Sequence, residues 1–267
     1  MTAAEKFRAL HAPGRFLVLP NAWDAASARL VEDCGAEAIA TSSAAVAWSH
    51  GYADGEAIPV AVLLAAVAEI LRVVKVPVSV DSEAGYSSDP AKVADYTNAL
   101  IDMGVAGINL EDGTHTPDLT ARKIEAIKNA ARKKGGDIFI NARADVYLKN
   151  LTPPEHMRQE TIRRGKLYKS AGADGFFAPS VTEAADIRAI AESVDLPLNV
   201  LFFSACPPVA EMKTAGVRRL SAGAGISRIA LGAARTATKL FLEGIDHKTM
   251  FAPAEGLPNM NGLITRS

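Results

Sequence analysis

Acidic side chains follow several short apolar runs of the sequence, and they are of the type that binds hard cations. Asp81 and Glu83 follow one run, Glu111 follows the next, and Arg143 follows the one after that. Carboxylates gathered in one cavity repel each other, so a cation must hold them or some must be protonated. All-oxygen ligands favour Mg²⁺, or Mn²⁺, over zinc. The pattern predicts a divalent-cation site, with helix capping by the acids as the alternative.

Other polar residues at the same junctions could bind an anionic substrate. Arg143 could hold a carboxylate through two parallel hydrogen bonds, and a structural salt bridge explains its position equally well. Ser42 and Ser43 could donate hydroxyl and N–H groups, although such a run is usually a turn. No lysine stands at the end of a predicted strand, and Lys149 lies out in a loop, which disfavours Schiff-base chemistry.

The elements that must position these residues alternate regularly along the chain. Short apolar runs predict strands at 16–19, 38–41, 77–80, 107–110, 138–141, 175–178, 198–201 and 219–221. Apolar residues at steps of three or four predict helices at 25–33, 60–73, 91–103, 119–133, 154–170, 183–193, 209–215 and 226–243.

This alternation predicts an α/β fold, a single (β/α)8 TIM barrel over residues 1–245 followed by an irregular tail at 246–267. A doubly wound open sheet is the alternative, but it favours a glycine-rich turn after the first strand, where residues 20–23 read Pro-Asn-Ala-Trp. In a TIM barrel the active site lies at the carboxyl ends of the strands, where the polar residues described above would meet.

Composition excludes several classes of protein. The chain has 267 residues, 29 Lys and Arg against 30 Asp and Glu, and a formal net charge of −1, which argues against a nucleic-acid partner. Its longest apolar run is too short to cross a membrane, and its first residues lack the apolar core of a signal peptide. Two cysteines, Cys34 and Cys206, cannot form a disulfide framework. We therefore expect a cytoplasmic protein.

Five segments in order, at 20–24, 41–43, 81–86, 109–112 and 141–143, resemble the isocitrate lyase/phosphoenolpyruvate mutase superfamily. The resemblance implies a Mg²⁺-dependent enzyme that acts on a 2-oxo acid through an enolate. By this resemblance Asp81 contacts the metal directly, Glu83 and Glu111 hold metal-bound waters, and Asp54 is a further acid of the metal region.

The resemblance also implies how a small carboxylic acid binds and how the chains assemble. The N–H groups around Ser42 and Ser43 would hold the substrate carboxylate and carbonyl, while Arg143 and Asn199 would contact the substrate. Relatives often form tetramers in which the last helix packs on a neighbouring subunit, so we expect a homotetramer.

One departure from the superfamily decides which reaction we expect. Its lyases carry a mobile loop with a catalytic cysteine after the fourth strand, and its mutases carry Lys and Asn there, whereas this chain enters a helix soon after Glu111. Neither cysteine fits that place. We therefore expect a carbon–carbon lyase for a small 2-oxo acid, acting by decarboxylation or by retro-aldol cleavage with His115 as a candidate base. A phosphonate P–C enzyme and a catalytically degraded 2-oxo-acid-binding protein are the alternatives.

Overall fold

The computed structural model describes residues 1–244 and 247–265. Nine parallel strands form one sheet in the order β1-β9-β8-β7-β6-β5-β4-β3-β2. The strands are β1 Leu17–Leu19, β2 Asn21–Ala22, β3 Ile39–Thr41, β4 Val78–Asp81, β5 Gly107–Glu111, β6 Phe139–Arg143, β7 Gly175–Phe177, β8 Leu198–Leu201 and β9 Val217–Ser221. The order confirms the predicted TIM barrel.

The first barrel strand is divided in two by Pro20. Before the proline, β1 pairs with β9, and after it β2 pairs with β3. Proline has no N–H to give to a ladder, so the two short pieces share one position in the barrel. The nine strands therefore fill eight positions, and the barrel closes between its first and last strands.

Helices alternate with the strands nearly as the sequence predicts. They are α1 Ala3–Ala9, α2 Ala25–Asp33, α3 Ser43–Ser49, α4 Val60–Val73, α5 Pro90–Asp102, α6 Pro117–Lys133, α7 Pro154–Ser170, α8 Ala184–Val194, α9 Val209–Thr214, α10 Gly225–Leu242, α11 His247–Phe251 and α12 Met260–Ile264. The sequence analysis missed α1 and α3. A capping box between Thr2 and Glu5 starts α1, and α3 begins in the serine run expected to be a turn.

The two ends of the barrel differ in chemistry. At the end where the strands begin, which we call the floor, Phe7 of α1 packs against Phe139, and His11 stacks on the same ring at 4.3 Å between centroids. Phe7 also touches Gly107, where an added Cβ would lie 2.9 Å from its ring. Helix α1 thus closes the floor with apolar side chains and leaves the other end, the mouth, to polar ones.

Two features at the end of the chain differ from an ordinary barrel. Ser227 is the one buried residue of α10, so this helix does not pack closely on the barrel. The tail expected to be irregular contains α11, a 3-10 turn at Ala252–Ala254 and α12, and the Leu263 carbonyl of α12 accepts a hydrogen bond from Arg29. The expected domain boundary at 245/246 lies outside the described residues. Within those residues, no helix is long and apolar enough to cross a membrane.

Candidate active site

Asp81 ends β4 at the mouth and is held on both of its oxygens. Oδ2 accepts the Ser43 N–H at 3.1 Å, and Oδ1 accepts from Asn109 Nδ2 at 3.4 Å. The Asp81 N–H donates to Thr41 Oγ1 at 2.9 Å. These bonds fix a buried carboxylate in one orientation. They also commit the Ser43 N–H, which the resemblance assigned to the substrate, to Asp81.

Glu83 joins two loops of the mouth. Its Oε2 accepts the Glu56 N–H at 2.6 Å, and its Oε1 accepts from the Tyr86 hydroxyl at 3.0 Å. Burial raises the pKa of Glu83 to about 7, against the effect of these two hydrogen bonds, and the charges of Asp81 and Asp54 add to the rise. Asp54 itself is exposed, so it acts on the site through its charge.

Arg143 lies between two carboxylates, which occupy its Nε, Nη1 and Nη2 nitrogens. Nε and Nη2 donate to the two oxygens of Asp145 at 2.6 and 3.1 Å, while Nη1 lies 2.5 Å from Glu111 Oε2. Burial raises the pKa of Glu111, whereas the adjacent Arg143 opposes that rise. A substrate carboxylate would have to compete with Asp145 and Glu111 for this guanidinium.

Asp112, next to Glu111, anchors the Arg143–Asp145 pair from the interior of the protein. Its Oδ1 accepts the Asp145 N–H at 2.9 Å, and its Oδ2 accepts from Arg164 at 2.8 Å and from the Tyr168 hydroxyl at 2.6 Å. Asp112 is fully buried, so its charge is compensated by α7 and not by solvent. In the sequence, Asp112 stands out only as part of the segment 109–112.

Lys149 lies in a loop, as expected from the sequence, but this loop returns to the mouth. The turn after β6 brings its Nζ to 3.5 Å from Asp145 Oδ2 and 3.9 Å from Glu111 Oε1. Asp145 and Lys149 are four residues apart but lie in a turn and not in a helix, so their spacing did not predict the contact. The mouth therefore holds two cations, Arg143 and Lys149.

The remaining predicted residues occupy different places. His115 is exposed on the turn before α6, and within the described chain its ring makes no hydrogen bond. Ser42 caps α3 without a side-chain bond, near Asp81. Asn199 is buried inside the barrel, where Nδ2 donates to the Val200 carbonyl at 2.7 Å and Oδ1 accepts from Asn141. Cys34 lies exposed at the end of α2.

A buried polar network continues from Asp81 into the barrel. Asn109 Oδ1 accepts from Asn141 at 2.9 Å and from Arg219 Nη2 at 3.1 Å. Arg219 is fully buried, and among the described residues no carboxylate lies within salt-bridge distance of it. Burial lowers its pKa, while Asp81 opposes the shift. The sequence analysis read Arg219 only as the start of a strand.

The mouth carboxylates do not form a ready-made metal site. Among the described residues, no three His, Cys, Asp or Glu side chains are placed together to hold a metal ion. Asp81 and Glu83 each accept hydrogen bonds on both oxygens, and Glu111 Oε2 pairs with Arg143, so each carboxylate could reach an ion only through its remaining lone pairs. Mg²⁺ commonly binds through one or two carboxylates and retains several waters.

Known proteins share this architecture and much of the sequence. The family model described as phosphoenolpyruvate phosphomutase matches residues 7–242. The chain belongs to the isocitrate lyase/phosphoenolpyruvate mutase superfamily. An uncharacterized protein of Mycobacterium tuberculosis, Rv1998c, is 35% identical over 89% of each chain. The oxaloacetate decarboxylase of Ectopseudomonas mendocina is 30% identical over 74% of this chain and 69% of its own.

Solved structures of the superfamily include enzymes of different reactions. A putative phosphonomutase from Burkholderia cenocepacia is 40% identical, with a TM-score of 0.84 over 89% of this chain and 99% of its own. A 2,3-dimethylmalate lyase is 28% identical, with a TM-score of 0.82 over 94% of each chain. Superfamily relatives therefore include carbon–carbon lyases and a putative phosphonomutase. The reaction of this chain must be inferred from the residues at the mouth of its barrel.

Proposed function

We propose that this protein is a Mg²⁺-dependent carbon–carbon lyase that cleaves a small 2-oxo acid through an enolate, most simply by decarboxylation of an oxaloacetate-type β-keto acid. The observation that carries the proposal is the short connection after Glu111. Five residues, 112–116, join β5 to α6. Such a connection is too short to fold over a large tricarboxylate and add a gating acid, so the chemistry must need little beyond an electron sink.

The mouth residues have separate tasks in this reaction. Asp81, fixed by Ser43 and Asn109, presents its remaining lone pairs to the ion. Mg²⁺ bound there would supply a Lewis acid for the enolate oxygen. Arg143 and Lys149 add fixed positive charge where the enolate forms, and charge placed in advance costs no reorganisation during the reaction.

Charge balance supports a divalent ion. Leaving aside the exposed Asp54 and the Asp112–Arg164 pair, the mouth residues described above comprise four carboxylates, Asp81, Glu83, Glu111 and Asp145, and two cations, Arg143 and Lys149. A single divalent cation offsets that difference, which lowers the cost of holding these acids ionised and partly buried.

The test is turnover of purified protein with oxaloacetate, isocitrate and 2-methylisocitrate, with Mg²⁺ and with chelator, after subtraction of the rate due to free Mg²⁺. We expect Mg²⁺-dependent loss of oxaloacetate or a close β-keto acid and no useful cleavage of either tricarboxylate. General acid catalysis by a loop residue is worth about 10²- to 10⁴-fold, and this chain has no such loop. Robust tricarboxylate cleavage would contradict the proposal, and binding without turnover across the panel would indicate a 2-oxo-acid-binding protein.

A second candidate is phosphonate P–C chemistry, which the likeness to the Burkholderia phosphonomutase favours. Phosphonopyruvate assayed beside oxaloacetate separates the two. Faster turnover of the phosphonate would replace the lyase assignment.

A further inference from the structure

Lys149 occupies a place at the mouth that suits chemistry on a bound acid. Its Nζ lies over the turn between β5 and α6, where a Cβ added to Gly113 would stand 3.3 Å from the nitrogen. Gly113 has φ +55, a backbone conformation that side chains rarely adopt. The glycine therefore both makes the turn and leaves room for the ammonium group above Glu111.

The ammonium protons of Lys149 are uncommitted. Its distances to Asp145 Oδ2 and Glu111 Oε1, 3.5 and 3.9 Å, exceed those of an ordinary N–H···O hydrogen bond. Within the described residues, the Lys149 Nζ makes no hydrogen bond. Arg143, in contrast, donates to Asp145 and pairs with Glu111. The Lys149 side chain is 37% exposed, so water can reach it.

Other groups near the mouth are poorer proton donors. Arg143 holds its proton firmly, because its carboxylate neighbours outweigh burial and raise its pKa. Among the described residues, no carboxylate lies within salt-bridge distance of His115, whereas Lys149 lies within 4 Å of Glu111 and Asp145. The Tyr86 hydroxyl donates its hydrogen bond to Glu83.

We propose that Lys149 is a catalytic residue that donates a proton to the enolate carbon. This rests on the proposed function. When the bond to the leaving carboxylate breaks, CO₂ departs and the electron pair enters the enolate. The carbon then takes a proton from the Lys149 ammonium, forming a C–H bond and leaving a neutral amine. Water at the exposed side chain returns the proton to nitrogen.

The step can be measured in reverse, without any cleavage. A group that protonates the enolate carbon also removes a proton from pyruvate, so the Mg²⁺-loaded protein should exchange pyruvate methyl protons for deuterium in D₂O, followed by NMR. Three variants of the full chain separate the possible roles: Lys149→Gln removes charge and proton, Lys149→Arg keeps the charge, and Lys92→Gln alters an exposed lysine of α5.

We expect both Lys149 variants to exchange at least about 100-fold more slowly than wild type, and Lys92→Gln to match wild type. Oxalate, which resembles the enolate of pyruvate, should bind Lys149→Arg with Mg²⁺ about as tightly as wild type by calorimetry. That combination separates proton transfer from substrate binding and from folding.

Exchange by Lys149→Arg at the wild-type rate would overturn the assignment. So would a loss of oxalate binding in Lys149→Arg as large as its loss of exchange. A wild-type protein that cleaves a β-keto acid but does not exchange pyruvate protons would also overturn it. Lys149-dependent exchange in a protein that cleaves no acid would overturn the proposed function and leave this assignment standing.

Discussion

Asp112 and Asp145 lie at the ends of neighbouring strands, and the carboxylate of the first accepts the backbone N–H of the second at 2.9 Å. Asp145 in turn holds Arg143 by two hydrogen bonds. The orientation of the guanidinium at the mouth therefore depends on a carboxylate buried behind it.

Replacing Asp112 by Asn should destabilise the fold. The substitution removes one of the two carboxylates that face the buried Arg164, which keeps Glu160, and loss of a hydrogen bond between charged groups costs about 1.5–3 kcal/mol. Urea denaturation measures the loss, with Asp95→Asn on the exposed face of α5 as the matched control. Equal midpoints for the two variants would show that Asp112 does not carry this anchor.

Asp81→Ala should abolish Mg²⁺ binding by calorimetry while leaving the circular dichroism spectrum unchanged. The substitution removes the proposed direct ligand, and the accepted bonds from Ser43 and Asn109 are lost locally. Asp54→Asn, on an exposed loop, should weaken binding much less, because a solvated charge is screened. Unchanged Mg²⁺ affinity in Asp81→Ala would refute the metal assignment.

Buried His11 should make a contribution to stability that is lost as the pH falls below 7, opposite in sign to the contributions of Glu83 and Glu111, whose raised pKa values favour proton binding by the folded chain. Burial lowers the pKa of His11 from 6.5 to about 3, and Arg219 acts in the same direction. Between those values the unfolded chain binds a proton that the folded chain does not. Stability is therefore present above the unfolded pKa and lost as pH falls, by about 2 kcal/mol between pH 7 and pH 5 from this one group.

The measurement is the free energy of unfolding of wild type and His11→Leu at both pH values. Going from pH 7 to pH 5, the stability of His11→Leu relative to wild type should rise by about 2 kcal/mol, and His156→Gln, at an exposed position, should behave as wild type. A pH dependence that His11→Leu does not alter would disprove this origin.

We expect a homotetramer in which α10 packs on a neighbouring copy. Ile229 and Phe241 of this helix are 74% and 70% exposed, and Val18 on β1 is also exposed. Light scattering at micromolar concentration gives the mass, and Leu231→Glu with Phe241→Glu should reduce it. A monomeric wild-type chain would contradict the expectation.

The fold followed from the sequence more completely than the site did. Apolar periodicity located the barrel strands and their helices, because the buried residues of a strand or a helix face are close together in the sequence. The anchor of Asp112 was not visible, because its partners Arg164 and Tyr168 lie on α7, far along the chain. The sequence placed Lys149 correctly in a loop, but no local pattern shows that this loop folds back over the mouth.

The divided first strand also bears on how the chain folds during synthesis. Residues Leu17–Leu19 pair along one edge with Arg219–Ser221, about two hundred positions later. Until β9 leaves the ribosome, the nascent sheet carries an unpaired edge at β1, and such edges invite association with other chains. Closing so long a loop is slow, because its entropy must be lost before the final ladder forms. The last step of barrel assembly must therefore wait for almost the whole polypeptide.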